Sequence, residues 1–274
     1  QRRVAVTRVG GTSDAPDDLV AVEEPLEIRL GQEIDGRTEH QAVSITMRTP
    51  GDDRELAAGF LFTEGILQHR EQVREIRHCG HGVGLTNTLR VDLLPGVAVD
   101  VKRLERNFYT TSSCGVCGKT SLEALATGAS GVTTTAGLRI APALIHSLPT
   151  RLRERQPTFA STGGLHAAAL FAPSGELLAL REDVGRHNAV DKLIGARFLA
   201  GELPALGVML LLSGRASFEL LQKAVMAGIP IVCAVGAPSS LAVDAAREFG
   251  VTLLGFVRDG RFNVYTGAER IASD

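Results

Sequence analysis

The 274-residue chain has no long apolar run, no strong charge bias and few cysteines, and each shortage excludes a class of protein. The longest strongly apolar stretch is ALGVMLLL, residues 205–212, well short of the roughly 18 residues that a membrane-spanning helix needs. A net charge of -2 supplies no bulk attraction for nucleic acid or an anionic membrane, so neither is expected as a partner. Any anionic ligand must be held by a local basic patch. Four cysteines do not make a disulfide scaffold in a chain of this length. The cytoplasm is the expected compartment, where a CxxC pair is catalytic or metal-binding rather than structural. Residues 1–18 are polar, lack the apolar core of a secretory signal and are expected to fray. Because the chain opens on Gln1, its natural start is expected to lie upstream.

What is present is 44% hydrophobic residues, enough for one large domain or two small ones. The first part reads as strands. LVAVEEPLEIRLG and HQAVSITMRTP alternate apolar and polar residues and predict a hairpin or neighbouring strands. Pro50 to Asp53 reads as a turn into a helix, RELAAGFLFTEGIL, with Leu56, Phe60, Leu61 and Ile66 on one face. TNTLRVDLLPG returns to strand character. From residue 205 the pattern changes to buried strands alternating with short helices: ALGVMLLLSG, RASFELLQKAVMAG, IPIVCAVGAPSS, LAVDAAREFG and VTLLGFVRDG. That order predicts an α/β fold with a largely parallel sheet covered on both faces. A boundary near residues 103–109 divides the two patterns.

TTSSCGVCGKTS, residues 110–121, holds Cys114 and Cys117 and admits three chemistries. SCGVCGKT fits a phosphate loop except that Ser113 replaces the first glycine; the preceding ERNFYTT is a poor strand, and no magnesium-holding Asp ends an apolar strand. Zinc would need two further ligands, with His78, Cys79 and His81 as candidates. A deaminase-type site pairs H-x-E with C-x-x-C, and His69 with Glu71 has that spacing. Those two residues, however, sit in the highly charged LQHREQVREIR, where a solvated helix face is expected, and Ser113 stands where a proline normally precedes the first cysteine. The third chemistry is a reactive sulfur. Thr120 and Glu123 form a capping box, which places both cysteines just before a helix N-terminus, where the helix dipole and Lys119 favour thiolate. Gly115 and Gly118 give this loop the freedom to move. Cys233, in IPIVCAV, reads as a core residue, and Cys79 as non-catalytic.

In an open α/β sheet, ligands bind beyond the carboxyl ends of the strands. Arg215 in SGRASFE, Ser239 and Ser240 in GAPSS, and Phe256, Arg258 and Arg261 in GFVRDGR all fall at such ends. Together they fit a phosphorylated, ring-bearing ligand. In REDVGRHNAVDKLIGARFL, Val190, Leu193, Ile194 and Phe198 form an apolar helix face. Asp183 is a candidate cap, and His187, near the helix start, is expected to stay neutral. The glycines of STGGLHAAALF permit close backbone approach, and His166 is expected to be packed.

Taken in order, EEPLEIRL, RELAAGFLFTEGI, SSCGVCGK, TGGLHAAAL, REDVGRHNAVDKLIG, LSGRASFELLQKA and APSSLAV with GFVRDGR resemble the formate dehydrogenase accessory sulfurtransferase family, FdhD, from about Val20 to Tyr265. The resemblance implies a cytidine-deaminase-like α/β C-terminal domain, residues 106–274, carrying the CxxC loop and a nucleotide pocket. A smaller strand-rich α+β domain, residues 1–105, precedes it. It further implies a sulfurtransferase that takes persulfide sulfur from a cysteine desulfurase onto Cys114, with Cys117 as helper. The sulfur then passes to the molybdenum bis(molybdopterin guanine dinucleotide) cofactor, bound as a substrate, that formate dehydrogenase requires. By the same resemblance Leu254, Gly255, Phe256, Val257, Arg258 and Asp259 bind that cofactor, the protein is a homodimer, and no metal is permanently bound. The alternative left open is a zinc-binding, deaminase-like hydrolase using the CxxC as ligands.

Overall fold

The computed structural model describes residues 1–7, 9, 17–34, 36–79, 86–97, 99 and 138–273. Cys114, Cys117 and the boundary near residues 103–109 lie outside the described residues.

The first half is built on a four-stranded sheet of order β4-β3-β6-β5. Strands β3 (Glu24–Ile34) and β4 (Arg37–Arg48) form the expected antiparallel hairpin. Strand β5 (Val73–His78) pairs antiparallel with β6 (Thr88–Leu93), and β6 lies parallel to β3. The connection from β4 to β5 carries helix α1 (Asp53–Thr63). Leu56 and Leu61 on α1 are buried, and Ile66 fills the same core from beyond the helix end. Residues Arg2–Ala5 and Asp17–Val20, within the stretch expected to fray, are instead paired. Strand β1 (Arg2–Ala5) pairs antiparallel with β2 (Asp17–Val20), because backbone hydrogen bonding in a ladder does not require apolar side chains.

The second half is built on a six-stranded sheet of order β12-β11-β10-β9-β7-β8. Its centre, β9 (Met209–Leu212), β10 (Ile231–Ala234) and β11 (Thr252–Arg258), is parallel, as the strand–helix alternation predicts. Its flanks correct the expectation of a largely parallel sheet. Strand β12 (Arg261–Thr266) returns along β11 as a hairpin, and β7 (His166–Phe171) is antiparallel to both β8 (Leu177–Asp183) and β9. Short turns link β7 to β8 and β11 to β12, and a strand re-entering through a short turn must run antiparallel.

Both faces of this sheet are covered. On one side lie α4 (Arg186–Ala200), α5 (Phe218–Met226) and α6 (Ser240–Glu248), whose apolar residues join those of α1 and the four-stranded sheet in one core. On the other, α2 (Pro142–Arg153) buries Ile145, Leu148 and Leu152 against Leu211, Cys233, Leu254 and Val257. The short helix α3 (Pro157–Thr162) leads into β7. The two halves of the chain are joined where α1 crosses α4. There Gly59 lies against the Asp191 carbonyl and Gly195 against the Glu55 carbonyl, and a β-carbon on Gly195 would stand 2.7 Å from the Gly59 nitrogen.

Buried charge ties the same helices together. Lys223 on α5 reaches the Asp191 carboxylate at 2.9 Å and the Thr63 hydroxyl at 2.9 Å. Lys192 meets Asp183 at 2.8 Å. Each cation is matched within hydrogen-bonding distance, the condition under which buried charge is tolerated.

Candidate functional site at the strand ends

Because β9, β10 and β11 are parallel and β8 runs antiparallel to β7, the residues following β8, β9, β10 and β11 share one end of the sheet. Helices α4, α5 and α6 follow β8, β9 and β10, so their N-termini open there. This is the end at which helix dipoles and free amides favour anions.

The loops at this end are locked to one another through the backbone. The Gly236 amide donates to the Gly214 carbonyl at 2.9 Å, Ala216 to Ala237 at 3.2 Å, Ser239 to Ala216 at 2.9 Å and Phe256 to Gly236 at 3.1 Å. Such approach needs small residues. A β-carbon on Gly236 would come within 2.9 Å of Arg215 Cγ, and one on Gly255 within 2.8 Å of the Tyr265 ring and 2.9 Å of Pro238. The Ser239 hydroxyl caps α6, accepting from the Ala242 amide at 3.2 Å, whereas Ser217 at the start of α5 leaves its helix uncapped by its side chain. Ser239 is thus the N-cap, whereas Ser240 is the first residue of the helix and not a cap.

The segment from Leu254 to Asp259 forms the end of β11 and the turn beyond it. Leu254 and Val257 both enter the core beneath α2. Residues three apart do not share a face in a regular strand. They do so here because the register with β12 is interrupted between Gly255 and Arg258, and Phe256, at the interruption, has φ 55°. For an aromatic residue this left-handed conformation costs roughly 1–2 kcal/mol. Retained strain of this kind clusters at ligand clamps. Phe256 remains partly exposed, Arg258 and Asp259 are exposed, and the Arg258 guanidinium stands 6.0 Å from the Phe256 ring centroid. Arg258 is also in register with Arg261. Two like charges directly opposite each other disfavour the hairpin by themselves and favour an anion between them.

At the other side of the same end are His166, Arg186 and His187. The backbone of His166 pairs with Asp183, and its ring lies over Gly214. Asp183 does not cap α4, as expected of a candidate cap; Gly185 occupies that position. Instead the Asp183 carboxylate accepts from the Gly185 amide at 2.8 Å, the Asn188 amide at 3.0 Å and the Thr49 backbone at 3.1 Å, and pairs with Lys192. His187, the second residue of α4, is largely buried. Burial first, and then the charges of Arg186 and Lys223, lower its pKa from 6.5 to about 4. Burial and Arg186 also lower that of His166. The neutral His187 expected from its place in the sequence is thus present, and its cause is mainly desolvation.

Stability should follow. An unfolded chain takes a proton at His187 below about pH 6.5 while the folded chain refuses it until about pH 4. The contribution is therefore complete above pH 6.5 and is lost as pH falls towards 4. It amounts to about 3 kcal/mol at most. Urea denaturation between pH 7 and pH 4 should show this decline, and His187→Gln should flatten it relative to the parent; parallel curves would contradict it.

The remaining sequence candidates lie elsewhere. His69 and Glu71 are exposed at a single 3-10 turn, Arg70–Gln72. His78 ends β5, with its ring nitrogen 3.5 Å from Asp53, and Cys79 follows it on the four-stranded sheet. His81 is outside the described residues. Among the described residues no group of three or more His, Cys, Asp or Glu side chains is gathered to hold a metal ion. No helix among them is long and apolar enough to cross a membrane. Cys233 is fully buried in β10, and desolvation pushes its thiol up to about 12.

The alternating fold, the interlocked strand ends and the ordered motifs agree with a match to known proteins. A sequence model described as the FdhD/NarQ family matches residues 21–272, and the chain belongs to that family. Proteins named sulfur carrier protein FdhD are similar to it throughout. The one from Streptomyces avermitilis is 54% identical, covering 99% of this chain and 95% of its own. Those from Mycobacterium tuberculosis and Sulfurisphaera tokodaii are 50% and 44% identical, covering 93% and 98% of this chain and 92% and 98% of their own. The fold also matches a Desulfotalea psychrophila protein solved under the name of a formate dehydrogenase accessory protein. The TM-score is 0.71 at 28% identity, over 99% of this chain and 98% of that one.

Proposed function

We propose that this protein is a sulfurtransferase that serves formate dehydrogenase. It accepts persulfide sulfur from a cysteine desulfurase on Cys114 and delivers it to the molybdenum bis(molybdopterin guanine dinucleotide) cofactor. The Cys114 thiolate attacks the terminal sulfur of the desulfurase persulfide. A new S–S bond forms, the old one breaks, and the desulfurase cysteine leaves as thiolate. In delivery the terminal sulfur leaves Cys114 and becomes sulfide on taking two electrons from the molybdenum of the substrate, which restores the Cys114 thiolate. Cys117 assists as the second thiol of the pair. The fold we assign to residues 106–274 is the cytidine-deaminase-like one, with residues 1–105 as the smaller domain, and the functional unit is a homodimer in the cytoplasm.

The observation that carries the reading is Phe256, held at φ 55° beside Arg258 and Arg261 on the segment that the family resemblance marks for the cofactor. Its ring offers a platform for guanine and the arginines a fork for phosphate. Calorimetric titration with GDP tests it. Phe256→Gly removes the ring and also relieves the left-handed strain. Affinity should fall roughly tenfold or more, while the melting temperature stays level or rises. Undiminished GDP binding by Phe256→Gly would remove the pocket from this strand end.

A further inference from the structure

We infer that Tyr265, on β12, is a positioning residue for the nucleotide: its ring, packed over Gly255, maintains the irregularity of β11 that presents Phe256 at the strand end. This deepens the reading above and rests on it.

The pairing of β11 with β12 is interrupted twice. Leu253 lies opposite Thr266 and Leu254 opposite Val264, so one step along β11 matches two along β12, and Tyr265 is the unmatched residue. Gly255 then lies opposite Asn263 and Arg258 opposite Arg261, so three steps along β11 match two along β12. Here the unmatched residue is Phe256, with its left-handed backbone. Each is a bulge, a device that re-aims side chains beside functional sites. The two sit on opposite strands and cancel. The hairpin has one register outside both bulges and a register shifted by one residue only between them, at Leu254 and Gly255.

Both outer registers are pinned. At one end the Thr266 hydroxyl accepts from the Leu253 amide at 3.0 Å and donates to the Val251 carbonyl at 2.7 Å. At the other, Asp259 and Gly260 make the two-residue connection from Arg258 to Arg261, with Gly260 at φ 75°, a turn position that glycine takes without steric cost. With both ends fixed, an extra residue on β12 at Tyr265 obliges an extra residue on β11. The left-handed Phe256 is that counterpart.

The tyrosine ring holds the first bulge open. A β-carbon on Gly255 would come within 2.8 Å of Tyr265 Cε2 and 2.9 Å of Pro238 Cδ, so ring and proline fill the place of a side chain. Tyr265 is partly buried against the core that contains α6. The loop carrying Pro238 also receives Phe256, whose amide donates to the Gly236 carbonyl at 3.1 Å. Without the ring, β12 can pair regularly with β11, the bulge at Phe256 is no longer required, and its strain favours losing it.

Calorimetric titration with GDP at about pH 7, with the melting temperature of each variant measured alongside, tests the role. Tyr265→Ala should weaken binding about tenfold, the scale of a displaced stacking platform. Tyr265→Phe, which keeps the ring, should restore the parent's affinity. In a Phe256→Gly background, with neither platform nor left-handed cost, Tyr265→Ala should cause no further loss, whereas an independent structural role would weaken binding equally in both backgrounds. Hydrogen exchange reads the same coupling without ligand. The Phe256 amide should exchange about tenfold faster in Tyr265→Ala, while the amides of β10 keep the parent's rates. If Tyr265→Ala fails to fold, Tyr265→Leu, which keeps apolar bulk without a flat ring, carries the same expectations. Undiminished affinity, additive losses in the double variant, unchanged exchange at Phe256, or no rescue by Tyr265→Phe would each overturn the inference. A parent protein that does not bind GDP would remove the Phe256 reading and this inference with it. GDP bound by the parent and kept by Tyr265→Ala would remove this inference alone.

Discussion

Cys114→Ala is expected to lower activation of formate dehydrogenase by at least roughly a thousandfold, because a covalent carrier step has no substitute once its nucleophile is gone. GDP affinity should not change, since the strand ends proposed for the nucleotide are built from other residues. The remaining thiols explain why no rescue is expected. Cys233 is fully buried in β10 with its thiol pushed up to about 12, so at neutral pH it is neither ionised nor reachable. Cys79 follows β5 on the four-stranded sheet, not at the strand ends proposed for the nucleotide. Cys117 alone shares the motif. Replacing it leaves the attacking sulfur in place, so Cys117→Ala should retain more activity than Cys114→Ala. Coupling purified variants to a cysteine desulfurase and inactive formate dehydrogenase measures all of this. An active Cys114→Ala variant would end the assignment.

The second large effect is on folding. Glycine to alanine inside a helix ordinarily stabilises by about 1 kcal/mol. Gly59→Ala and Gly195→Ala should do the reverse, each destabilising by about 2–3 kcal/mol. The added methyl at either site meets the backbone of the facing helix rather than the end of a flexible side chain. Neither α1 nor α4 can yield without opening the core that joins the two sheets, and the Lys223–Asp191–Thr63 contacts hold the same helices together. Urea denaturation should show the loss in both variants. Gly207→Ala, where a β-carbon meets nothing within 4 Å, should stay within about 0.5 kcal/mol of the parent. Equal stability of Gly59→Ala and the parent would mean that the helices cross elsewhere.

The parts of this fold legible in the sequence are those whose side chains carry a period. The β3–β4 hairpin, α1, α4 and the parallel β9–β10–β11 core all show it, because each buries one face or both. The parts that were not legible have weak or contrary local signals. Strand β12 is RFNVYT, with no residue fully buried, and its presence is fixed by pairing to β11 rather than by its own hydrophobicity. Helix α2 contains Pro149, which argues against a helix locally, yet Ile145, Leu148 and Leu152 anchor it to the sheet.

The candidate site divides in the same way. Arg215, Ser239, Phe256, Arg258 and Arg261 could be placed at one sheet end from the strand–helix order alone. The left-handed backbone at Phe256 could not, because a positive φ normally announces itself as glycine, and here glycine stands one residue earlier. Arg186 was also hidden. Its sequence neighbours mark only a helix start, and the lack of a hydrogen-bond partner for its buried Nε among the described residues shows only in the structure.

The central claim is that Cys114 carries sulfur, and intact-protein and peptide mass spectrometry tests it most directly. The chain is incubated with a cysteine desulfurase and cysteine without reductant, and its metal content is measured in the same sample. The account predicts a gain of one sulfur atom on the peptide containing Cys114, reversed by added thiol. No gain on that peptide, together with stoichiometric zinc, would contradict it and make the CxxC a metal site.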